Sequence, residues 1–310
     1  MSEQNQGKNI IVEVSKLVKV FRDFWRRPKV RAVDGLDLEI GAGEIFGLLG
    51  PNGSGKSTTI KILLGLLYPS SGDVHVFGRS PRNVGAKARI GYLPEESYLY
   101  NYLTPYETLD FYGRLFDLDS RVRKERIGQL LQMTGLEHAA DRYVGEFSKG
   151  MARRVGLAQA LINDPELIIL DEPTSGLDPI GCRQVKDLML ALAKRGKTII
   201  LSSHLLADVE DVCDRIAILY NGSIKAQGSV RQLLEKQDRL RLTMPSLQPD
   251  MMKKVLELIR EKIGKDPDVD HPSMNLEQFF LEVVEKAHKS SSRPSGAIPG
   301  EEMAGYLTKE

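Results

Sequence analysis

Glu44-Ile45-Phe46-Gly47-Leu48-Leu49-Gly50-Pro51-Asn52-Gly53-Ser54-Gly55-Lys56-Ser57-Thr58 is the stretch that decides how this chain folds. An apolar strand over Glu44–Leu49 runs into a glycine-rich turn, and the turn opens a helix expected to reach about Leu67. Gly50 to Ser57 fits GxxxxGK[ST] in the strand–turn–helix setting that the pattern requires. Its glycines let successive backbone N–H groups point inward at the positive end of a helix dipole, making a nest for anions. Lys56 would reach the β- and γ-phosphates, and the Ser57 hydroxyl would bind Mg2+. Gly50, Pro51, Asn52, Gly53, Ser54, Gly55, Lys56, Ser57 and Thr58 are therefore the expected binding residues for ATP, with Mg2+ beside it. The bland reading is a Gly-rich turn with no ligand, and the flanking strand and helix argue against it.

Further along, Leu167-Ile168-Ile169-Leu170-Asp171-Glu172 reads as a buried strand that delivers two carboxylates at its C-terminal end. Open α/β sheets bind their ligands at such ends. Asp171 would hold Mg2+ through its water shell, and Glu172 would polarise the attacking water. Alone, the run reads more often as a strand entering a solvated loop. Paired with the Gly50 turn, it reads as a site. Between the two, Gly145-Glu146-Phe147-Ser148-Lys149-Gly150-Met151 opens a helix that ends before Asp164-Pro165. Ser148 and Gly150 there make a second anion site or, more plainly, a serine N-cap.

Outward from this centre, Ile10–Val20 suits a strand, and Leu36, Leu38 and Ile40 alternate with charged neighbours as a half-buried strand does. Phe21–Arg31 between them reads as a basic, aromatic loop. Strands are expected near Asp73–Phe77 and Ile90–Leu93. Helical periodicity then runs over 95–163, with Leu109, Tyr112 and Leu115 on one face and Ile127, Leu130 and Leu131 on another. That stretch reads as a helical subdomain inserted into an α/β domain. Strands follow at Leu167–Leu170, Thr198–Leu201 and Arg215–Tyr220, the last closed by the hairpin signal Asn221-Gly222. Past Lys236, Met251–Ile263 and Asn275–Ala287 read as amphipathic helices. The tail 290–310 is expected to be disordered, on the Ser/Pro/Gly content of 290–300.

The chain has 310 residues, 41% hydrophobic and 27% charged, an ordinary globular balance. Its net charge of +1 gives no reason to expect a nucleic-acid partner. Cys182 and Cys213 form no Cys-x-x-Cys pair and read as reduced thiols. No stretch approaches the roughly 20 apolar residues of a membrane helix.

These elements, in this order, resemble the ATP-binding cassette of ABC transporters over about Ile10–Leu234. Ser175-Gly176-Leu177-Asp178 resembles the family's D-loop, and His204 in Ser202-Ser203-His204 its switch histidine. By itself His204 also reads as a satisfied surface or core histidine. The resemblance implies a P-loop NTPase (RecA-like) α/β core, an antiparallel β subdomain and an inserted helical subdomain, all within 8–236. A C-terminal accessory region over 237–289 follows.

The resemblance also implies ATP hydrolysis with Glu172, His204 and Glu95 as catalytic residues. ATP contacts would extend to Phe21, Ser148, Gly150 and Asp178, and metal contacts would come from Ser57, Asp171 and Glu95. Phe21 sits where the family stacks adenine, with Phe24 and Trp25 as alternatives and a core aromatic as the plain one. Two positions depart from the family's pattern. The signature, usually Leu-Ser-Gly-Gly-Gln, is Phe147-Ser148-Lys149-Gly150-Met151, and the Q-loop glutamine is Glu95. Both variants resemble an export-type branch whose cassettes are separate chains. The implied partners are a second cassette, expected as a homodimer, and a separate membrane permease at the cytoplasmic face of the membrane. The alternative is a soluble ABC-type ATPase acting on ribosomes or DNA.

Overall fold

In the computed structural model of the protein, residues 9–25, 27–235, 247–264 and 304–307 are described. The chain begins with a long hairpin, β1 (Ile10–Arg22) and β2 (Pro28–Gly41), then β3 (Ile45–Leu49) and α1 (Lys56–Leu63). β4 (Ser71–Val76), the single turn α2 (Val84–Lys87) and β5 (Ile90–Leu93) follow. Next come α3 (Pro105–Leu115), α4 (Ser120–Met133) and α5 (Lys149–Leu161), and then β6 (Leu167–Asp171) and α6 (Pro179–Lys194). β7 (Thr198–Ser203), α7 (Leu206–Val212), β8 (Arg215–Tyr220), β9 (Ser223–Ser229) and α8 (Val230–Leu234) complete the cassette-like part.

A three-stranded antiparallel sheet has the order β2-β1-β4, and a six-stranded sheet the order β5-β6-β7-β3-β8-β9. Every pair in the larger sheet is parallel except β8–β9. Its central strands are buried on both faces, and alternate side chains enter two different cores. Phe46 and Leu48 join the antiparallel sheet and α1, whereas Ile45 and Leu49 join α3–α7. Parallel strands covered on both sides read as unbroken apolar runs for this reason.

The expected elements form, with four differences. The β1–β2 hairpin is much longer than expected, so the loop over Phe21–Arg31 shrinks to the few residues between Arg22 and Pro28. Cross-strand pairing carries Phe21 opposite Val30, which local composition did not signal. Helix α1 stops at Leu63, and turn residues replace its expected last turn. On α3, Leu109 is fully buried but Leu115 is 62% exposed, so the face turns away from the core one turn before the helix ends. The fourth difference lies in the tail 290–310: Ala304–Leu307 is packed, with Ala304 and Leu307 buried in the same core as α4 and α5. The side chains of Ala304, Tyr306 and Leu307 outweigh the polar composition of the segment before them.

Local chemistry explains the helix starts. Thr104 and Glu107 form a reciprocal capping box ahead of Pro105, and Asp119 caps α4. Asn221 and Gly222 take positive φ and close the β8–β9 hairpin as expected.

A second compact unit spans Leu234–Arg293. Its described part is the helix α9 (Pro249–Ile263), which ends at Gly264 in the left-handed conformation, with Gly264 N–H bonded to Arg260 O. Met252, Val255, Leu256 and Ile259 are its less exposed apolar positions. The helix expected over Asn275–Ala287 and the stretch 290–300 lie outside the described residues.

Candidate functional site

The site starts where β3 ends. Gly50 has φ 153 and Gly55 φ 107, both in the region that favours glycine. A Cβ on Gly50 would sit 2.3 Å from Leu219 O, and one on Gly55 2.5 Å from Ala32 O. Side chains are thus excluded twice, by conformation and by space, and a backbone-lined cradle results. Lys56 is buried and folds over the turn, Nζ donating to Gly50 O at 2.7 Å and Pro51 O at 3.3 Å. Among the described residues, the buried Ser54 Oγ has no hydrogen-bond partner and α1 has no side-chain N-cap. A helix start with uncapped N–H groups, an unpartnered hydroxyl and an ammonium is built for a polyanion. Ser57 and Thr58 follow on the first turn, both half-buried.

Strand register brings the carboxylates to the same edge. Leu49 lies opposite Ser203, and Ser202 opposite Asp171. The next residues in the three strands, Gly50, His204 and Glu172, therefore leave the sheet side by side, with neighbouring strands about 4.8 Å apart. Asp171 and Glu172 are both buried. The Ser202 hydroxyl donates to Asp171 Oδ1, which orients that carboxylate. Glu172 has φ 50, an uncommon conformation for a non-glycine residue and one often found at functional sites. His204 Nδ1 lies 2.9 Å from Glu172 Oε2. Its side chain is half exposed, so a buried carboxylate is joined to solvent through an imidazole.

The other expected residues are distributed differently. Ser148 is the N-cap of α5, its Oγ accepting from Met151 N at 3.2 Å. Asp178 is the N-cap of α6, Oδ1 accepting from Gly181 N at 2.8 Å. A Cβ on Gly150 would meet Leu177 at 3.3 Å, so signature and D-loop segments touch each other. Lys149 lays its aliphatic stem over Gly176. Among the described residues, no hydrogen bond or ion pair links Ser148 or Gly150 to the Gly50 turn. Phe21 is 39% exposed near the end of β1, with Lys19 Nζ 5.2 Å from its ring centre, so it is no core aromatic. Phe24 and Trp25 are more exposed still. Glu95 has an exposed side chain just after β5.

Comparison with known proteins names the arrangement. The family model described as ABC transporter matches residues 33–175. An uncharacterised ABC transporter ATP-binding protein of Synechocystis sp. is 42% identical over 84% of this chain and 73% of its own length. This chain belongs to the ABC transporter ATP-binding family. A fluoroquinolones export ATP-binding protein of Mycobacterium tuberculosis is 42% identical over 74% of this chain and 76% of its own length. The Nod factor export ATP-binding protein I of a Rhizobium species is 44% identical, over 66% and 68%. Among solved structures, a dimeric ATP-binding cassette in a post-hydrolysis state, bound to ADP and phosphate, superposes with a TM-score of 0.65. It is 26% identical, over 71% of this chain and 99% of that one. The chain is thus an ABC ATPase, the ATP-binding subunit of a transporter.

The donors present in this ABC protein also fit Mg2+. That ion takes oxygen ligands from one or two carboxylates, substrate phosphates and water, not a dedicated carboxylate cage. The Ser57 hydroxyl and Asp171 supply such oxygens, and no cluster of three or more His, Cys, Asp or Glu occurs among the described residues.

One residue of the site escaped sequence reading. Arg153, on α5, is 4% exposed, and its guanidinium donates to the backbone carbonyls of Pro94, Glu95, Asp171, Glu172 and Pro173. Burial lowers its pKa to about 10, against the pull of Asp171, Glu95 and Glu172, so it stays charged at neutral pH. A single cation thereby ties the helical insertion to both β5 and β6. In sequence it is one of two adjacent arginines, Arg153 and Arg154, and nothing local says which one faces inward.

Proposed function

We propose that this chain hydrolyses Mg-ATP to drive export through a separate membrane permease, working as a head-to-tail pair of cassettes. The observation that carries the chemical part is the buried, left-handed Glu172, bonded to His204 at 2.9 Å and leaving the sheet beside the Gly50 cradle. Glu172 polarises the attacking water, and His204 orients the carboxylate and senses the γ-phosphate. The turn over Gly50–Thr58 binds the phosphates, Lys56 supplying the counter-charge. Ser57, Asp171 and Glu95 would hold Mg2+, which when bound would supply charge neutralisation to the phosphates. Phe21 stacks on adenine from the hairpin.

Ser148, Gly150 and Asp178 act on the ATP of the neighbouring cassette. Within one chain the Ser148 and Asp178 side chains bond only their own helix starts and Gly150 packs against Leu177, with no hydrogen bond to the Gly50 turn among the described residues, which supports a target outside that chain. ATP is then part of the interface, and hydrolysis weakens it. The named exporters among the relatives support the direction of transport. The helical insertion has three α-helices of at most 14 residues, far shorter than the coiled coils of DNA-organising relatives. No described helix is long and apolar enough to cross a membrane. In this reading the permease holds the chain at the membrane's cytoplasmic face. A cleft of about 310 Å3 beside α3, lined by Leu103, Tyr106, Phe111 and Arg114 among others, is a place for a permease segment to dock.

The test is to tag the chain in its native host, solubilise membranes gently and identify what co-purifies. A stoichiometric multi-span membrane protein is the expected result. A chain found only with ribosomes or DNA would overturn the transport reading and leave the ATP site standing.

A further inference from the structure

Helix α5 carries Ser148 at its amino end, and its carboxyl end is finished by residues from elsewhere in the chain. No basic residue lies in its last turn to satisfy or offset the terminal carbonyls. Instead, Arg126 of α4 donates to Ile162 O at 2.9 Å, and Tyr306 Oη donates to Leu161 O at 3.0 Å. The two partners also hold each other, the Arg126 guanidinium lying 4.3 Å from the centre of the Tyr306 ring. Ala304 and Leu307 on either side are buried, so the tyrosine is anchored at both flanks. Burial pushes its phenol pKa well up, with Arg126 only partly opposing, so it remains a donor at any physiological pH.

The same helix end abuts β5. A Cβ on Gly91 would lie 2.0 Å from Ala160 O, so the carbonyl end of α5 rests directly on the strand that leads to Glu95. The carboxyl end is therefore one anchor of α5 and the Arg153 clamp the other, and the two together set the tilt at which Ser148 and Gly150 are presented. Ser148 lies five residues before Arg153, about 7.5 Å along the helix, so a tilt of about 10° about that clamp moves Ser148 by roughly 1.3 Å. Displacements on the order of 1 Å are enough to spoil a phosphate contact.

We propose that Tyr306 is a positioning residue for the second phosphate site: by capping the carboxyl end of α5, the C-terminal segment Ala304–Leu307 aims Ser148 and Gly150. The inference rests on the reading that Ser148 and Gly150 meet a neighbouring chain's ATP. It also gives the tail a task in ATP-driven pairing that the cassette motifs do not contain.

The test uses the full chain carrying Glu172→Gln, with ATP-driven dimerisation followed by light scattering and single-chain nucleotide affinity measured below the dimerising concentration. Ser148→Ala serves as the reference. Tyr306→Ala is expected to weaken dimerisation about tenfold and Tyr306→Phe about threefold, the scale of one lost hydrogen bond with and without the ring contact. Single-chain affinity should stay within about twofold, since the cradle lies on other elements. If Ser148→Ala impairs dimerisation while both Tyr306 variants match the parent, the role of Tyr306 is overturned and the two-chain site stands. If Ser148→Ala has no effect either, the two-chain reading and this inference fall together. Should Tyr306→Ala also lose single-chain affinity through damage to the fold, Tyr306→Phe decides: weakened dimerisation supports the role and normal dimerisation overturns it.

Discussion

The amino ends of α1 and α5 are made of similar residues, Gly-Ser-Gly-Lys-Ser against Ser-Lys-Gly-Met, yet they dispose of their N–H groups differently. At α1 the residue before the helix is a glycine with no side chain to give, the neighbouring Ser54 hydroxyl has no partner among the described residues, and Lys56 curls over the turn. At α5 the serine has already bonded the N–H of Met151. One end is a prepared anion site whose parts all belong to a single chain. The other is a capped helix, and under the proposed function its phosphate comes from outside the chain. Composition places an anion site at a helix start, and capping decides whether that site is open.

The largest expected effect lies beside the prepared end. Glu172→Gln should cut ATP turnover by roughly 10²–10⁴-fold, the usual range for losing a general base, while ATP binding and ATP-driven dimers persist. A steady-state ATPase assay checks this, and near-normal turnover would remove Glu172 from the chemistry. Lys56→Ala should weaken ATP binding by roughly 10–100-fold, from the loss of charge-assisted hydrogen bonds. Calorimetric titration reads that effect, and unchanged affinity would mean that the α1 end is no more an anion site than the α5 end.

Arg153→Ala tests the connection between the two ends. It would strip the donors from buried carbonyls on β6 and just beyond β5, at a cost of about 3 kcal/mol. At an unfolding entropy of about 2.1 cal/mol/K per residue, a 310-residue chain would lose about 5 °C of melting temperature. Arg153→Lys should recover only part of it, because one ammonium cannot span five acceptors. An unshifted thermal melt would show that water replaces the guanidinium without loss. The smallest effect belongs to the capped end. Ser148→Ala should cost about 1 kcal/mol of stability and leave single-chain ATP affinity untouched. A drop in that affinity would place Ser148 on its own chain's ATP and dissolve the contrast.

Much of the centre was legible in sequence because its chemistry is local. The strand, turn and helix around Gly50 are contiguous, and the glycine positions carry both the conformation and the cradle. Asp171 and Glu172 were legible because a fully apolar run ending in two carboxylates has few structural explanations once a phosphate turn is present. His204 was readable only through resemblance, since a single histidine after a strand says nothing of the carboxylate 32 positions earlier. The length of the β1–β2 hairpin was missed because cross-strand pairing, not composition, extends it. Arg153 was missed because which of two neighbouring arginines is buried depends on the rotation of α5 against β5 and β6.

By itself, the sequence determined the order of elements, the anion cradle at Gly50–Ser57 and the pair of carboxylates that follows a buried strand. Those features depend on the residue types within a few positions of one another, where backbone freedom, dipole and charge act at short range. Tertiary structure alone decided three things: that Gly50, Glu172 and His204 leave the sheet side by side, that Arg153 bridges insertion and core, and that Tyr306 finishes the helix Ser148 begins. Each of these joins positions far apart along the chain. Such contacts follow from strand register and from which faces find an apolar surface to bury, and those are properties of the whole fold.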